Sequence, residues 1–154
     1  MGALPPIAEL VPHTPPMLAV DELLECAPGR AVGRLVVRED RFTRDGRLDS
    51  VVLLESMSQV VAACLGYEAT REGGAVRVGM VVACREMVVA RPAVAVGEVL
   101  ILRVERTQGT DAVSQFETET RDAGGALVAR ATLTLVHGER LTDGVGPPAA
   151  SSRA

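Results

Sequence analysis

The spacing of hydrophobic positions predicts one long helix near the middle of the chain. Residues 51–66 form an apolar run that is long enough for a helix and contains Leu, Met, Ala and Gln, all good helix formers. Asp49 or Ser50 is suited to cap its first turn, and Gly66 is suited to end it. Beyond Gln59 the run is apolar on every side, which is typical of a buried helix.

Segments with the pattern of β-strands flank this helix. They cover residues 31–39, 76–89, 98–107, 112–121 and 126–137. In the last segment apolar and polar side chains alternate, so we expect one face of an antiparallel sheet to be buried and the other to be wetter. Residues 17–26 fit either a strand or a helix, the proline-rich start favours an extended entry, and residues 40–50 look irregular.

These elements predict an α+β domain in which one central apolar helix packs against an antiparallel sheet. The chain has 154 residues, of which 47% are hydrophobic, and this suits a single domain with a sizeable core. We place the domain at residues 1–137. The remaining residues, 138–154, have no periodicity and are predicted to be a disordered tail.

Composition excludes several classes of function. The net charge is −4 and only 2% of the residues are aromatic, which argues against a nucleic-acid partner. All 16 basic residues are arginines, so neither Schiff-base chemistry nor a P-loop lysine is available. The 3 cysteines are widely spaced and are expected to be buried thiols in a reducing compartment, without a metal site.

The pattern also predicts a cytoplasmic protein that does not enter a membrane. The N-terminal residues lack the charged start and the apolar core of a signal peptide. The longest apolar segment looks too short and too polar to span a bilayer.

An acid in the most hydrophobic helix is the main candidate for chemistry. Glu55, Ser58 and Gln59 fall on one side of the predicted helix. We expect Glu55 to be at least partly desolvated, which favours the protonated carboxyl that a general acid needs. The alternative is that Glu55 lies at an exposed edge, or forms a salt bridge with one of the many arginines.

Only two histidines can serve a histidine-dependent reaction. His13 lies in the rigid segment "VPHTPPM", where its ring could face a cleft or could simply bond to backbone. His137 ends the last predicted strand and is expected to be a strand-end residue.

Three motifs together resemble a known family. They are "LVPHTPPMLAVDEL" at 10–23, "LLESMSQVVAA" at 53–63 and "RPAVAVGEVLILRVE" at 91–105. In this order they are similar to the β-hydroxyacyl-acyl-carrier-protein dehydratases of the hotdog fold. Because it lacks a G-H-F-P-G motif, the chain resembles a divergent branch of that family associated with aryl-polyene and related polyketide clusters.

The resemblance implies a long helix wrapped by a curved antiparallel sheet, in a homodimer or a heterodimer with another hotdog subunit. It implies dehydration of 3-hydroxyacyl thioesters, with the substrate carried on the phosphopantetheine of an acyl carrier protein or on coenzyme A and no other cofactor. Glu55 matches the family's acid, and Gln59 is expected to support that acid or to line the tunnel. The backbone near Ser50 would polarise the thioester carbonyl, and Val82 would line the acyl chain.

The family's catalytic histidine is replaced here by Arg41, which cannot act as a base. The base is then His13, approaching from another wall of the tunnel, and Arg41 contacts either the phosphopantetheine or Glu55. Two alternatives stay open, namely a thioester hydrolase in which Glu55 activates water, and a non-catalytic subunit that completes a heterodimer.

Overall fold

The computed structural model describes residues 3–75, 79–110 and 112–137. Within them the chain forms one α-helix, nine β-strands and two short 3₁₀ turns. The 3₁₀ turns are Ile7–Glu9 and Ser50–Val52, and the helix α1 is Leu53–Arg71. The strands are β1 Glu22–Ala27, β2 Arg30–Val36, β3 Thr43–Arg44, β4 Arg47–Asp49, β5 Met80–Val89, β6 Ala93–Ala95, β7 Val99–Gly109, β8 Val113–Asp122 and β9 Leu127–Val136.

Six of the strands form one antiparallel sheet, in the order β1-β2-β7-β8-β9-β5. Helix α1 packs against the inner face of this sheet, where it contacts β1, β2, β7, β8 and β9. The alternation predicted for the last strand is confirmed, since Ala129, Ala131, Leu133 and Leu135 are buried and Arg130 is exposed. The predicted α+β arrangement of one central helix against an antiparallel sheet is therefore confirmed.

The helix starts as predicted and ends later than predicted. Asp49 caps the 3₁₀ turn Ser50–Val52 that leads into the helix, by accepting a hydrogen bond from the backbone N–H of Val51 at 3.0 Å. The helix does not stop at Gly66 but continues to Arg71. Gly66 is there for packing, because a Cβ at this position would lie 2.1 Å from the carbonyl oxygen of Leu10. The glycine thus lets the N-terminal segment rest directly on the helix backbone.

Two segments have more structure than the sequence indicated. Residues 40–50 contain the hairpin of β3 and β4, whose turn residues Asp45 and Gly46 both have positive φ. An Asp-Gly pair favours this kind of turn, so the signal was present in a segment that is otherwise polar. Strand β4 pairs with β6 in a second, three-stranded sheet, and Ile7–Glu9 is a 3₁₀ turn and not an extended entry.

The cysteines are less uniformly buried than expected. Cys64 is buried in α1, Cys26 is partly covered on β1, and Cys84 is exposed on β5. The apolar helix is also longer than predicted. The sequence indicated a segment too short and too polar to span a bilayer, but Ser50–Arg71 is long and apolar enough by composition to cross a membrane. It is the core helix of this fold, packed inside the sheet. The tail predicted at 138–154 lies outside the described residues.

Among the described residues, strand β5 forms one edge of the large sheet and pairs only with β9. Its register with β9 shifts twice, so that Val82 and Arg85 have no cross-strand partner. Apolar side chains along it face outward, since Met80 and Val82 are 57% and 53% exposed. This edge therefore carries apolar surface that a single chain leaves uncovered.

Candidate active site

The first turns of α1 present an acid and an amide on the same side of the helix. Glu55 and Gln59 are four residues apart, and the Nε2 of Gln59 donates a hydrogen bond to the Oε1 of Glu55 at 3.0 Å. Gln59 is fully buried, whereas the Glu55 side chain is 48% exposed. The amide thus holds the acid from inside the protein and leaves it open on the other side.

Gln59 also fixes the segment that precedes β1. Its Oε1 accepts from the backbone N–H of Ala19 at 2.8 Å, and its Nε2 donates to the carbonyl of Met17 at 2.8 Å. These two backbone partners determine which end of the amide is nitrogen. The N–H of Ala19 needs an oxygen opposite it, and the carbonyl of Met17 needs an N–H. The second proton on Nε2 must then point at Glu55.

This geometry distinguishes the two oxygens of Glu55. Both of its polar contacts, to Gln59 and to His13, use Oε1. Among the described residues Oε2 has no hydrogen-bond partner, so it is the oxygen open to a ligand. Because Oε1 accepts a hydrogen bond from Gln59, Oε2 is the oxygen available to exchange a proton with a ligand.

His13 faces the same acid. Its Nε2 lies 3.5 Å from the Oε1 of Glu55, and its side chain is 30% exposed. Its Nδ1 is buried and has no hydrogen-bond partner in the part of the chain that the structure describes. The two predicted catalytic residues, distant in sequence, are therefore in contact within one chain.

Exposed apolar side chains lie on the turn that leads into α1, on the segment whose backbone binds the buried glutamine, and beside Arg41. Met17 and Phe42 are 40% and 43% exposed, and Val51, one turn before Glu55, is 51% exposed. Arg41 contacts the Met17 sulfur and lies over the Phe42 ring at 4.8 Å. Arg41 thus lies at the rim of the site and forms no ion pair with Glu55 in the described residues.

Glu55 was expected to be at least partly desolvated, with an exposed edge or an arginine salt bridge as the alternative. Its side chain is 48% exposed, and its charged neighbour is a histidine and not an arginine. It lies on the side of the first turns of α1 that faces away from the core, whereas Leu53 and Met57 are fully buried. The fully buried residues of α1 on the same side begin at Gln59.

Two further predicted site residues are placed differently from the acid and the base. Ser50 is fully buried, and its backbone N–H donates to the carbonyl of Pro92 at 2.9 Å. The geometry therefore gives no support to this N–H as a donor to a thioester. Val82 lies on the outward edge of β5, outside the polar network of His13, Glu55 and Gln59.

The other histidine, His137, contacts the large sheet. His137 follows β9, and its Nε2 is 2.8 Å from the buried hydroxyl of Ser114. The residues described contain no group of three or more His, Cys, Asp or Glu side chains that could hold a metal ion.

Sequence reasoning missed the segment Met17–Ala19, whose backbone binds Gln59. Residues 17–26 were interpreted as one element, but the strand begins only at Glu22. The pair Pro15–Pro16 was the available signal, because a proline restricts both itself and the residue before it. It marks a rigid segment, here called the strap (residues 12–19), that carries His13.

Comparison with known proteins places this geometry in a family. The model of the ApeP-like family, described as the ApeP dehydratase, matches residues 5–144. The 3-hydroxyacyl-[acyl-carrier-protein] dehydratase FabZ of Bacillus cytotoxicus is 28% identical over 141 residues, which cover 87% of this chain and 94% of the relative.

Solved structures agree on the fold. The dehydratase heterocomplex ApeI:P from Xenorhabdus doucetiae has a chain with a TM-score of 0.83 and 19% identity, covering 90% of this chain and 95% of that one. A hypothetical thioesterase with coenzyme A from Streptococcus pneumoniae has a TM-score of 0.63 and 14% identity, covering 76% and 84%. These likenesses confirm the predicted hotdog fold.

Proposed function

Because the chain belongs to the ApeP-like family of dehydratases, we propose that His13 and Glu55 together remove water from a 3-hydroxyacyl thioester. The observation that carries the assignment of these residues is the 3.5 Å distance between the His13 Nε2 and the Glu55 Oε1. The α-hydrogen and the β-hydroxyl of such a substrate are on neighbouring carbons. A base and an acid that act on them must also be neighbours.

The reaction assigns one proton transfer to each residue. Neutral His13 takes the α-proton on Nε2, and the C–H electrons form the new double bond between the α- and β-carbons. The C–O bond of the β-hydroxyl breaks, and Glu55 supplies a proton from Oε2 so that water leaves. The product is an enoyl thioester.

The contact between His13 and Glu55 also helps to restore their starting protonation states after each turnover. After one turnover His13 carries an extra proton and Glu55 lacks one, and the resulting opposite charges attract each other at this short distance. Return of the proton to Glu55 restores the starting state. This reset would be slow if the base and the acid were on distant walls.

The substrate side of the proposal follows from the family and from the surface around the site. The FabZ relative is named for an acyl carrier protein substrate, and we extend this carrier to the present chain. The apolar rim of Met17, Phe42 and Val51 suits a thioester arm and an alkyl or polyene chain. Phosphopantetheine would arrive with the substrate, and the reaction itself needs no further cofactor. A cytoplasmic location fits such a carrier.

A partner subunit completes the proposal. The open Glu55 and the apolar edge of β5 leave surface that a second hotdog chain could cover, and the ApeI:P structure is named as a heterocomplex. The mass of the purified chain in solution tests this. A dimer, or copurification of a second hotdog chain, supports the proposal, and a stable active monomer contradicts it.

The experiment that tests the chemistry measures turnover of a 3-hydroxyacyl carrier protein by the full chain and by His13→Ala and Glu55→Gln. We expect each variant to lose activity by roughly 10²–10⁴-fold, the usual contribution of a positioned acid or base. His137→Ala is the matched control, since that histidine bonds to Ser114 and should leave turnover within a few-fold.

The same assay separates the alternatives. Release of the free 3-hydroxy acid, with the free thiol left on the carrier, would indicate hydrolysis, which needs Glu55 to activate water and gives His13 no necessary role. A folded chain with no turnover alone, but with turnover in complex with a copurified partner that His13→Ala and Glu55→Gln leave unchanged, would be the silent subunit of a heterodimer. Full activity of His13→Ala would remove the base from the mechanism.

A further inference from the structure

Two cysteines meet where the edge strand β1 lies on the second half of α1. Cys26 is in the row of the sheet that faces the helix, since its cross-strand partner Ala31 is buried and packs in the core. Cys64 is fully buried in α1, and its Sγ lies 3.8 Å from the carbonyl of Ala27. Cys64 therefore contacts the residue next to Cys26, and each of the two thiols shifts the pKa of the other.

We propose that Cys26 and Cys64 form a reversible intramolecular disulfide when the protein meets a hydroperoxide. Cys26 faces the helix from β1, and Cys64 contacts β1 at the carbonyl of the next residue, so rotation of the two side chains can bring the sulfurs to disulfide distance. The site is separate from His13 and Glu55, and the proposal does not depend on the dehydratase function.

The surroundings assign different roles to the two thiols. The hydrogen bond with Cys64 lowers the pKa of Cys26, although burial and Glu68 oppose this effect. The same contact, together with burial, raises the pKa of Cys64. Arg106 and Glu68, which form an ion pair 2.7 Å apart, are the charged neighbours. Cys26 is therefore the more nucleophilic partner, and Cys64 is the one that keeps its proton.

Access follows the same division. Cys26 is partly exposed and lies on a strand with a neighbour on one side only, so a small oxidant can reach it from the open edge. Cys64 is enclosed by the core and can react only with a group that is already beside it. This is the usual arrangement of an attacking and a resolving cysteine.

The two steps balance in atoms and electrons. The Cys26 thiolate attacks one peroxide oxygen, the O–O bond breaks, and the sulfur becomes a sulfenic acid while the other oxygen leaves as hydroxide or alkoxide. Cys64 then attacks this sulfur, the S–S bond forms, the S–O bond breaks, and the Cys64 proton leaves with the hydroxyl as water. A thiol reductant reverses the reaction.

Cys84 provides the internal control. It is the exposed cysteine and lies on β5, at the opposite edge of the sheet from β1. In Cys84→Ser the only remaining thiols are Cys26 and Cys64, so cross-links between chains through Cys84 are removed. The test uses this variant and the unaltered chain, each treated with hydrogen peroxide and then with alkylating reagent under native and denaturing conditions.

We expect oxidised Cys84→Ser to stay unlinked to other chains, to lose about 2 Da and to take up no alkylating reagent after unfolding. Digestion after arginine should link peptide 1–30, which contains Cys26, to peptide 48–71, which contains Cys64. Dithiothreitol should restore two alkylatable thiols. Cys26→Ala, and as a second variant Cys64→Ala, should each abolish the linked peptide.

Three results would overturn the proposal. The first is Cys84→Ser with both thiols still free after peroxide treatment. The second is oxidation of Cys26 to sulfinic or sulfonic acid without a link. The third is a linked peptide that joins different chains.

Discussion

Glu55 and Glu68 lie on the same helix, and their surroundings differ in how many of their oxygens have partners. Glu68 uses both: Oε1 accepts from the backbone N–H of Gly29 at 2.6 Å, and Oε2 pairs with Arg106 at 2.7 Å. Within the part of the chain that the structure describes, Glu55 uses only Oε1, and its side chain is 48% exposed against 19% for Glu68.

The difference shows how one helix can carry an acid for structure and an acid for chemistry. A carboxylate with a partner on each oxygen has no oxygen left to exchange a proton with a ligand. A carboxylate with one oxygen fixed and one free is oriented and can still exchange a proton with a ligand. The hydrogen-bond partners of each glutamate therefore indicate its role more directly than its location on the helix does.

The largest effect should come from Glu55→Gln, which removes the proposed acid and keeps the shape. We expect kcat to fall by roughly 10²–10⁴-fold while the midpoint of urea unfolding stays the same, because the side chain is half exposed. Steady-state kinetics and urea denaturation measure the two quantities. A loss of stability with full activity would reverse the assignment of Glu55 and Glu68.

Gly66→Ala tests the second half of the helix as an anchor of the N-terminal segment. The new methyl group would meet the Leu10 carbonyl at 2.1 Å, so we expect a loss of about 3 kcal/mol or more in the free energy of unfolding. Gly79→Ala is the control, since its Cβ would meet nothing closer than 3.8 Å. Equal stability of the two variants would contradict the close contact.

Glu68→Gln should have a smaller effect on stability and almost none on the reaction. The change leaves Arg106 without its counter-charge in a partly buried place, which we expect to cost about 2 kcal/mol of unfolding free energy. Turnover should remain within a few-fold of the unaltered chain. A loss of kcat comparable to that of Glu55→Gln would show that Glu68 also takes part in the reaction.

Glu98 extends the comparison to an acid with paired oxygens outside the helix. The hydrogen bond from Arg91, followed by that from the Ala95 N–H, lowers the pKa of Glu98. Its contribution to stability is therefore complete above the pKa of an unfolded glutamate and is lost as pH falls through the lowered value.

We expect Glu98→Gln to cost about 1 kcal/mol near neutral pH, and the difference from the unaltered chain to shrink in acid. Thermal unfolding midpoints across an acid-to-neutral pH series measure it. Glu9→Gln, at an exposed position, is the control and should show no such trend. A difference that grows in acid would contradict the lowered pKa.

The sequence predicts the helix, its cap and most of the large sheet, because each is a local pattern of apolar spacing or turn chemistry. Gly66 shows where this reasoning fails. A glycine near a helix end favours a stop, but here a contact with Leu10, distant in sequence, determines its role. The hairpin of β3 and β4 was missed because its strands are too short to show alternation.

Within the site, the sequence singled out His13, Glu55 and Gln59 but could not place them relative to one another. Their contact depends on the path of the strap over the helix, which packing alone determines. The engagement of the Ser50 amide by Pro92 was equally invisible, since it joins segments that no local pattern connects.

The amide of Gln59 offers the strap the same two groups that a neighbouring β-strand would offer, one carbonyl and one N–H. The helix thus lends a single side chain as a substitute for a strand, and the strap pairs with it as if the sheet continued. The two methylenes of the Gln59 side chain determine how far the strap lies from the helix axis. Gln59 thereby also determines the distance between His13 on the strap and Glu55 on the helix.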